Sequence, residues 1–235
     1  PADFHTIQEA INAANPGDTI YVKAGIYYEN VIVNKTITLI GESKSDCLVD
    51  GGGSSAVFRI MSDNVSISGF TIWLGNYGIY LASSNNCTIF DNIILGNVMQ
   101  GIYLDQTSYN YISNNIIRNN HDGIRTISSC TNNFIGFNAI YDNTLDGIGI
   151  GSHCRDNVIS GNSISRNEVG ICFHYGYNII YHNNFFYNNY QVYQHPWEKF
   201  VNTWDDGYPS GGNYWSDYTG ADLYSGPYQN ETGND

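Results

Sequence analysis

Four side chains in the middle of the chain could form a small chemical site. Tyr103, Asp105, Arg125 and His174 fall on one outward strand face if the chain repeats with the period described below. An arginine or histidine in such a patch could abstract a proton, and a tyrosine ring could stack on a sugar. The sequence aligns no pair of carboxylates of the kind that glycoside hydrolysis requires. We therefore favour a solvated polar face over a catalytic groove.

A sulfur and an imidazole donor stand close together at Cys172 and His174. Residues two apart in a strand share one face, and both donor types suit copper. The other histidines do not fall in register with this pair, and two ligands make a weak metal site. We expect no specific copper site here.

Acidic residues recur among glycines and asparagines near the end of the chain. They offer the oxygen ligands that calcium prefers, but they form no recognised twelve-residue calcium loop. The residues are Asp205, Asp206, Asp217 and Asp222. We interpret them as solvated loop acids, and among cofactors we rank calcium above copper.

Five cysteines exclude a complete set of internal disulfides. Cys130 and Cys154 are 24 residues apart, about one repeat, which places their Cα atoms about 5 Å apart on adjacent coils. That distance allows a disulfide. The pair is either bridged or stacked as two thiols.

The charge of the chain excludes some partners. Nine basic residues against 22 acidic ones give a net charge of −13, which repels nucleic acid and anionic membrane surfaces. No apolar run is long enough to span a membrane. The low charged fraction and the abundance of Asn, Gly, Ser and Tyr favour a secreted or cell-surface location. Four Asn-x-Ser/Thr sequons permit glycosylation, at a number that chance alone would supply: Asn34, Asn64, Asn86 and Asn230.

These residues are positioned by a repeat of 22 to 24 residues. A Gly-Ile pair recurs at Gly78, Gly101, Gly123, Gly147 and Gly170. One asparagine register lies two residues before a buried apolar position: Asn92, Asn115, Asn138, Asn162 and Asn184, the last before Phe186. A second register follows five residues later: Asn97, Asn120, Asn143, Asn167 and Asn189. We expect these asparagines to occupy left-handed turns and to bond to the next coil.

The repeat predicts an all-β fold, a three-sheet parallel β-helix of about seven or eight coils. Each repeat contains three short β-branched segments, and stacked coils bury aliphatic ladders. Thr6 begins a capping box for a short amphipathic helix that ends before Asn15-Pro16-Gly17. The expected divisions are a capping helix at 1–16, the β-helix at 17–189 and an irregular aromatic and acidic cap at 190–235, all in one structural domain.

The segments just described resemble a known family. Ile-Gln-Glu-Ala-Ile, Pro-Gly-Asp-Thr-Ile-Tyr-Val and Leu-Ile-Gly-Glu within 6–41, followed by the coils, resemble the pectate-lyase-like superfamily of right-handed parallel β-helices. More narrowly, the chain resembles the NosD-like repeat proteins of archaeal cell surfaces, and the segments 202–208 and 211–218 are similar to a tail found there. Members of the families it resembles include polysaccharide lyases and hydrolases, non-catalytic envelope proteins and a protein of copper-cluster assembly. The resemblance therefore implies one of these roles but does not choose among them.

Aromatic residues suggest surfaces for contact. The outward positions Ile93, Leu95, Ile116, Tyr141, Phe185 and Tyr187 form a face that is more apolar than a free solenoid needs. We expect the tail after Tyr190 to cap the last coil and to cover part of this face, with a second copy or a glycan as the other candidates. The expected contact residues are Tyr80, Tyr103, Tyr141, Tyr187, Trp204, Trp215 and Tyr218.

We therefore expect a non-catalytic cell-surface β-helix that builds an envelope, sheath or fibre, as a homopolymer or lattice or by binding glycans. The alternative is a polysaccharide lyase or glycoside hydrolase. Metal delivery through Cys172 and His174 is the third hypothesis.

Overall fold

Three parallel sheets wind around one core in about eight turns. A computed structural model of the chain describes residues 3–195, 200–207, 210–220, 224–225 and 231–232. Sheet A contains Thr19–Val22, Thr38–Gly41, Ser66–Ser68, Thr88–Phe90, Tyr111–Ser113, Phe134–Gly136, Val158–Ser160 and Ile179–Tyr181. Sheet B contains Gly25–Tyr28, Cys47–Asp50, Thr71–Trp73, Ile93–Leu95, Ile116–Arg118, Ala139–Tyr141, Ser163–Ser165, Asn184–Phe186 and Tyr214–Trp215. Sheet C contains Val31–Val33, Ala56–Ile60, Tyr77–Ala82, Gln100–Asp105, Asp122–Ile127, Asp146–Ile150, Val169–Phe173 and Tyr190–Gln194.

The interior consists of aliphatic ladders, as the repeat predicts. In sheet C the inward isoleucines pair in register from one coil to the next and are fully buried: Ile79, Ile102, Ile124, Ile148 and Ile171. Each strand is too short to bury its own apolar face, so the core exists only because the coils stack about 4.8 Å apart. The predicted parallel β-solenoid is confirmed.

Each of the three corners of the coil contains a buried ladder of asparagines. In the corner between sheets A and B, the Asn115 backbone N–H and Nδ2 both donate to Oδ1 of Asn138, each at 3.0 Å. The Asn115 amide also donates to the Ile89 carbonyl at 2.9 Å. The three ladders are Asn92, Asn115, Asn138, Asn162, Asn183 and Asn213; Asn97, Asn120, Asn143, Asn167 and Asn188; and Asn110, Asn133, Asn157, Asn178 and Asn202.

The left-handed turn residue is the one before each ladder asparagine from Asn92 to Asn188, but not before Asn202 and Asn213 in the tail. Asn114 (φ 56°), Asn119 (φ 56°) and Tyr109 (φ 59°) precede Asn115, Asn120 and Asn110. The predicted bond to the next coil is therefore confirmed, whereas the prediction of left-handed backbone at the ladder asparagine itself is wrong. The ladder asparagine points its side chain inward to bond to the neighbouring coil, so the change of chain direction occurs at the residue before it.

Three positions in the last full coil differ from the predicted register. The ladder asparagines are Asn183 and Asn188, and the buried aromatic is Phe185, not Asn184, Asn189 and Phe186. Asn183 accepts from Asn162, so the ladder spacing in this coil is 21 residues. Because Asn183-Asn184 and Phe185-Phe186 are doublets, counting residues along the sequence is compatible with either register. Burial in the structure shows that the first residue of each doublet points inward.

The recurrent glycine is required by close backbone contact. A Cβ on Gly123 would lie 2.5 Å from the Gly147 carbonyl oxygen and 2.6 Å from Ile140 Cγ2. Since real Cβ atoms do not approach backbone this closely, only glycine lets the coils stack here.

A short helix, Ile7–Ala13, covers the first coil as predicted. Its capping box is formed by Thr6 and Glu9. Glu29 accepts from the backbone N–H groups of Ile7 and Gln8, and Lys35 Nζ donates to three carbonyls at the other end of the helix. Coil residues therefore satisfy both helix ends. Among the described residues, no helix is long and apolar enough to cross a membrane.

The tail closes the other end of the core. Trp215 stacks on Phe185 with ring centroids 4.5 Å apart, and Trp204 meets Phe173 edge-on at 5.8 Å. Asn202 and Asn213 supply the last members of two asparagine ladders. The predicted cap is thus partly a further turn of the solenoid. Regular strands also continue past the expected boundary at 189, through Tyr190–Gln194. A separate two-stranded antiparallel sheet pairs Tyr224–Ser225 with Glu231–Thr232.

Cys130 and Cys154 are free thiols, so of the two alternatives the structure has the stacked thiols. Cys154 Sγ accepts from the Cys130 backbone N–H at 3.3 Å, and Cys130 Sγ accepts from the Thr107 N–H at 3.5 Å. The sulfurs thus take the same place along the stack as the amide oxygens of the asparagine ladders.

We predict that Asn183→Ala destabilises the protein by about 2–4 kcal/mol, because it leaves the buried Asn162 N–H without an acceptor. Asn184→Ala, at the exposed neighbouring position, should change stability by less than about 0.5 kcal/mol. Urea unfolding followed by circular dichroism measures both. Equal losses would show that the ladder does not stabilise this coil.

Candidate functional site

The outward face of sheet C contains most of the charged strand residues. Of the strand residues in the three sheets, none is charged in sheet A and only Asp50 and Arg118 are charged in sheet B. Sheet C contributes Arg59, Asp105, Asp122, Arg125 and Asp146. Reactive side chains are therefore concentrated on one of the three faces.

The predicted outward column is present on this face. Tyr80, Tyr103 and Arg125 pair in register on successive coils, followed by Gly149 and Cys172. The four candidate catalytic residues divide among three clusters along the sheet. Tyr103 and Asp105 lie near Tyr80, Arg125 contacts Asp146, and His174 contacts Cys172 and His195.

A second polar column includes two carboxylates that the sequence interpretation missed. Gln100 Nε2 donates to Asp122 Oδ2 at 2.9 Å, and the Asp146 N–H donates to Asp122 Oδ1 at 3.3 Å. Arg125 Nη1 donates to Asp146 Oδ2 at 2.9 Å, and His121 Nδ1 lies 3.2 Å from Asp122 Oδ1. Two carboxylates therefore lie side by side on successive coils, a neighbourhood that the sequence interpretation did not identify.

The sequence interpretation missed these acids because it assumed that inward and outward residues alternate strictly along each strand. Asp122 and Asp146 stand two residues before an inward isoleucine, so alternation assigns them to the core. Each aspartate is followed by a glycine, Gly123 or Gly147, which precedes the inward isoleucine. This glycine is the sequence signal that could have revealed the acids, because a glycine inside a strand marks a close backbone approach where alternation can fail.

Burial changes the acidity of Asp146. Its side chain and that of Asp122 are each only 4% exposed. Burial first, and then the neighbouring Asp122 carboxylate, raise the pKa of Asp146 to about 6, against the opposing effect of Arg125. Asp146 can therefore donate or accept a proton in mildly acidic solution.

Three tyrosines cluster beside this column. The Tyr103 ring stacks on Tyr77 at 5.1 Å and tilts against Tyr80 at the same distance, and Arg59 lies over the Tyr80 ring. The Tyr80 hydroxyl donates to Asp105 Oδ2 at 3.0 Å. The other carboxylate oxygen, Asp105 Oδ1, is buried and has no hydrogen-bond partner among the described residues. The cluster thus combines aromatic rings with an unused acceptor.

The copper hypothesis can be tested on the cysteine–histidine pair. Cys172 Sγ lies 3.7 Å from His174 Nε2. The expectation that no other histidine is in register is wrong, because the His195 ring packs on His174 at 4.7 Å. Burial and the nearby Asp146 carboxylate raise the pKa of the Cys172 thiol to about 12, which opposes the thiolate that a metal needs. In the described part of the chain, no three His, Cys, Asp or Glu side chains form a metal-binding group. These residues do not fit a copper centre.

The candidate calcium ligands have other partners. Asp205 accepts from the Gly207 N–H at 2.9 Å, and Asp206 accepts from Ser210 Oγ at 2.8 Å. Asp217 is not grouped with them among the described residues, and Asp222 lies outside those residues. The two described pairs are ordinary loop interactions.

One outward column of sheet B is largely apolar, and the described tail does not cover it. Ile93 pairs with Ile116, and Leu95 with Arg118, on successive coils, as predicted for Ile93, Leu95 and Ile116. Phe185 is wrongly placed on this face by the sequence interpretation, since it is buried in the core. The tail strand Tyr214–Trp215 extends the sheet at its edge instead of folding over it.

The expected contact tyrosines of this region differ in exposure. Tyr141 is half-buried beneath Arg166, at 5.2 Å from the guanidinium carbon to the ring centroid. Tyr187 and Tyr218 are 75% and 66% exposed. Trp204 and Trp215 pack on the end of the core, so their observed contacts are internal.

Comparisons with known proteins agree with this fold. The chain is 37% identical over 101 residues to a "Cell surface glycoprotein" of Methanothermus fervidus, covering 42% of this chain and 17% of that protein. An alginate lyase from Paenibacillus sp. str. FPU-7 superposes with a TM-score of 0.75 at 16% identity, covering 88% of this chain and 94% of the lyase. The pectate lyase Pel9A gives a TM-score of 0.68 at 18% identity, covering 77% and 58%. Identity this low shows a shared fold alone.

The family comparison covers most of the chain. The model of the family described as "Periplasmic copper-binding protein (NosD)" matches residues 11–220, which include part of the capping helix, the coils and the described part of the aromatic tail up to that point. The chain therefore belongs to the NosD family.

Proposed function

We propose that this protein is a cell-surface β-helix that binds glycans along the outward face of sheet C. The concentration of charged and aromatic side chains on that face supports the proposal. Rings that stack on sugars lie beside carboxylate, amide and guanidinium groups that bond to hydroxyls. Neutral glycans fit better than acidic ones, because the chain has a net charge of −13.

The tyrosine cluster is the proposed centre of the binding face. Asp105 supports this cluster from below: its Oδ2 accepts from the Tyr80 hydroxyl, while its Oδ1 is too buried for a sugar hydroxyl to reach. Tyr77, Tyr80 and Tyr103 would contribute the ring surface on which a sugar stacks.

The proposed location agrees with the comparisons. The family description is periplasmic and the sequence relative is a cell surface protein, while the structural neighbours act on alginate and pectate. Copper binding is not part of the proposal, because Cys172 and His174 do not form a complete ligand set among the described residues.

The aspartate pair favours a second candidate function, hydrolysis of a glycosidic bond. Val169 occupies the same column as Asp146, so the fold does not require an acid there. Burying two carboxylates side by side is costly and is common where proton transfer is needed. Equivalent positions on successive coils lie about 4.8 Å apart, a spacing that suits the retaining mechanism. Asp146 would protonate the leaving oxygen as an Asp122 oxygen bonds to the anomeric carbon, and water would then break the bond to Asp122 while Asp146 takes the proton of that water.

Sheet B supports an additional role in assembly. Its outward column runs Ile26, Leu48, Thr71, Ile93, Ile116, Ala139 and Ser163. Apolar residues at successive coils make a flat surface of the kind that a second copy could cover. We propose self-association through this face into a sheath, lattice or fibre.

For glycan binding, we predict that Tyr103→Ala lowers affinity about tenfold, the amount expected from losing one ring stack. Tyr111→Ala removes an exposed ring from sheet A and should leave affinity unchanged. Calorimetry with neutral glucan and uronic acid oligosaccharides measures both variants. A similar loss in the two variants, or no binding of any oligosaccharide to the unaltered protein, would contradict the proposal.

For hydrolysis, we predict that Asp146→Asn lowers the release of reducing ends from polysaccharide at least about 100-fold, because it removes the proton donor. Activity should also fall as pH rises through about 6, where Asp146 loses its proton. Asp142→Asn alters an exposed aspartate paired with Arg166 and serves as the control. Unchanged release in Asp146→Asn would exclude this mechanism.

For assembly, we predict that Ile116→Lys converts larger species to monomers, because a lysine cannot be buried cheaply in an apolar interface. Ser163→Lys lies in the same column beyond the apolar positions and should assemble like the unaltered protein. Analytical ultracentrifugation and electron microscopy report the size and form of the species. A monomeric unaltered protein at tens of micromolar, an approximate range for weak interfaces, would exclude self-association.

A further inference from the structure

The corner between sheets C and A has an exposed column of residues, one per coil. It consists of the left-handed residues that precede the inward members of that corner, with φ values between 55° and 64°. The column is Asn64, Asn86, Tyr109, Asn132, Asp156 and Tyr177. Since tyrosine and aspartate also occupy it, this backbone conformation does not by itself require asparagine.

Three sequons coincide with this corner. Asn64-Val65-Ser66 and Asn86-Cys87-Thr88 place their asparagines in the column, one coil apart, because Ser66 pairs with Thr88. Asn34-Lys35-Thr36 lies in the same corner of the coil before Asn64. The fourth sequon, at Asn230, lies outside the described residues.

The side chains at these three positions are available for modification. Asn34, Asn64 and Asn86 are all exposed, and none of their side-chain amides takes part in a hydrogen bond among the described residues. The ladder asparagines differ, since their Nδ2 atoms are buried and donate to carbonyls, as Asn110 Nδ2 does to the Ser84 carbonyl at 3.2 Å. The number of sequons in the sequence is about the number that chance supplies. Their position is the added observation: the three sequons within the described residues share one exposed corner.

Sheet A divides in the same direction along the solenoid. The sequon residues Ser66 and Thr88 share one outward column with Thr38 on the early coils, and Tyr111, Phe134, Val158 and Ile179 continue it. Polar, sequon-bearing coils therefore precede coils whose face is aromatic and aliphatic. A glycan on the early coils would leave the later ones, and the Asp122–Asp146 column, uncovered.

We propose that Asn34, Asn64 and Asn86 carry N-linked oligosaccharides that form a glycan row along the corner between sheets C and A. The donor is a lipid-linked, phosphate-activated oligosaccharide. The bond from its anomeric carbon to the phosphate oxygen breaks, a bond to Asn Nδ2 forms, the amide loses one proton and the lipid phosphate leaves. This inference requires export of the chain but not glycan binding by sheet C.

The test is glycopeptide mass spectrometry of the full chain secreted from cells that also secrete a reporter with an occupied sequon. We expect added hexose-containing mass on all three peptides of the unaltered protein. Ser66→Ala, Thr88→Ala and Asn34→Gln should each remove the mass from one site. Ser66→Ala and Thr88→Ala keep the left-handed asparagine, so they change the sequon without straining the turn.

A gain-of-site variant provides the matched control. Phe134→Thr places a hydroxyl residue two positions after Asn132, which completes a sequon at an exposed position of the same column, and we expect it to add a further glycan. Glycan on two or more of the three natural sites supports the proposal. Modification of fewer than two, with the reporter occupied, overturns it. Binding by sheet C is measured separately with Tyr103→Ala, so either proposal can fail alone.

Discussion

The structure depends on hydrogen bonding between successive coils. Each strand has three to six residues in the coiled region, too few for an independent sheet, and each corner must satisfy backbone groups that are removed from water. The asparagine ladders solve this at all three corners, because one amide accepts from the coil before it and donates to buried carbonyls. At one corner, Thr107, Cys130 and Cys154 form a parallel hydrogen-bonded stack in which thiol sulfur replaces amide oxygen as the acceptor.

This internal uniformity leaves the outer faces free to differ. Sheet A has no charged strand residue among those described, sheet B presents one largely apolar column, and sheet C presents acids, arginines and tyrosines. A solenoid places equivalent outward positions about 4.8 Å apart, so a few substitutions along one column make an extended surface. The proposed glycan-binding face, assembly face and glycosylated corner use different sides of the same core.

Membership of the NosD family describes ancestry and fold more than chemistry in this chain. The residues nearest to a copper site are Cys172 and His174, and the thiol is held protonated by burial and by Asp146. The best-organised polar group lies instead around Asp122, Arg125 and Asp146. Sites on a repeat fold are set by individual outward residues, which can change without disturbing the ladders beneath them.

The sequence alone determined the period, the parallel sheets, the helical cap and the aromatic closing of the core. These follow from repeated inward residues, whose identity is fixed because every coil must match the next. Only the tertiary structure decided which outward residues meet. Asp122 and Asp146 escaped prediction because a glycine interrupts strand alternation, and Asn183 and Phe185 because one coil is shorter. Stacking of the coils requires the inward residues to repeat regularly, so the sequence pattern reveals them. Outward contacts depend on local backbone geometry and on the length of each coil, which a periodic pattern does not specify.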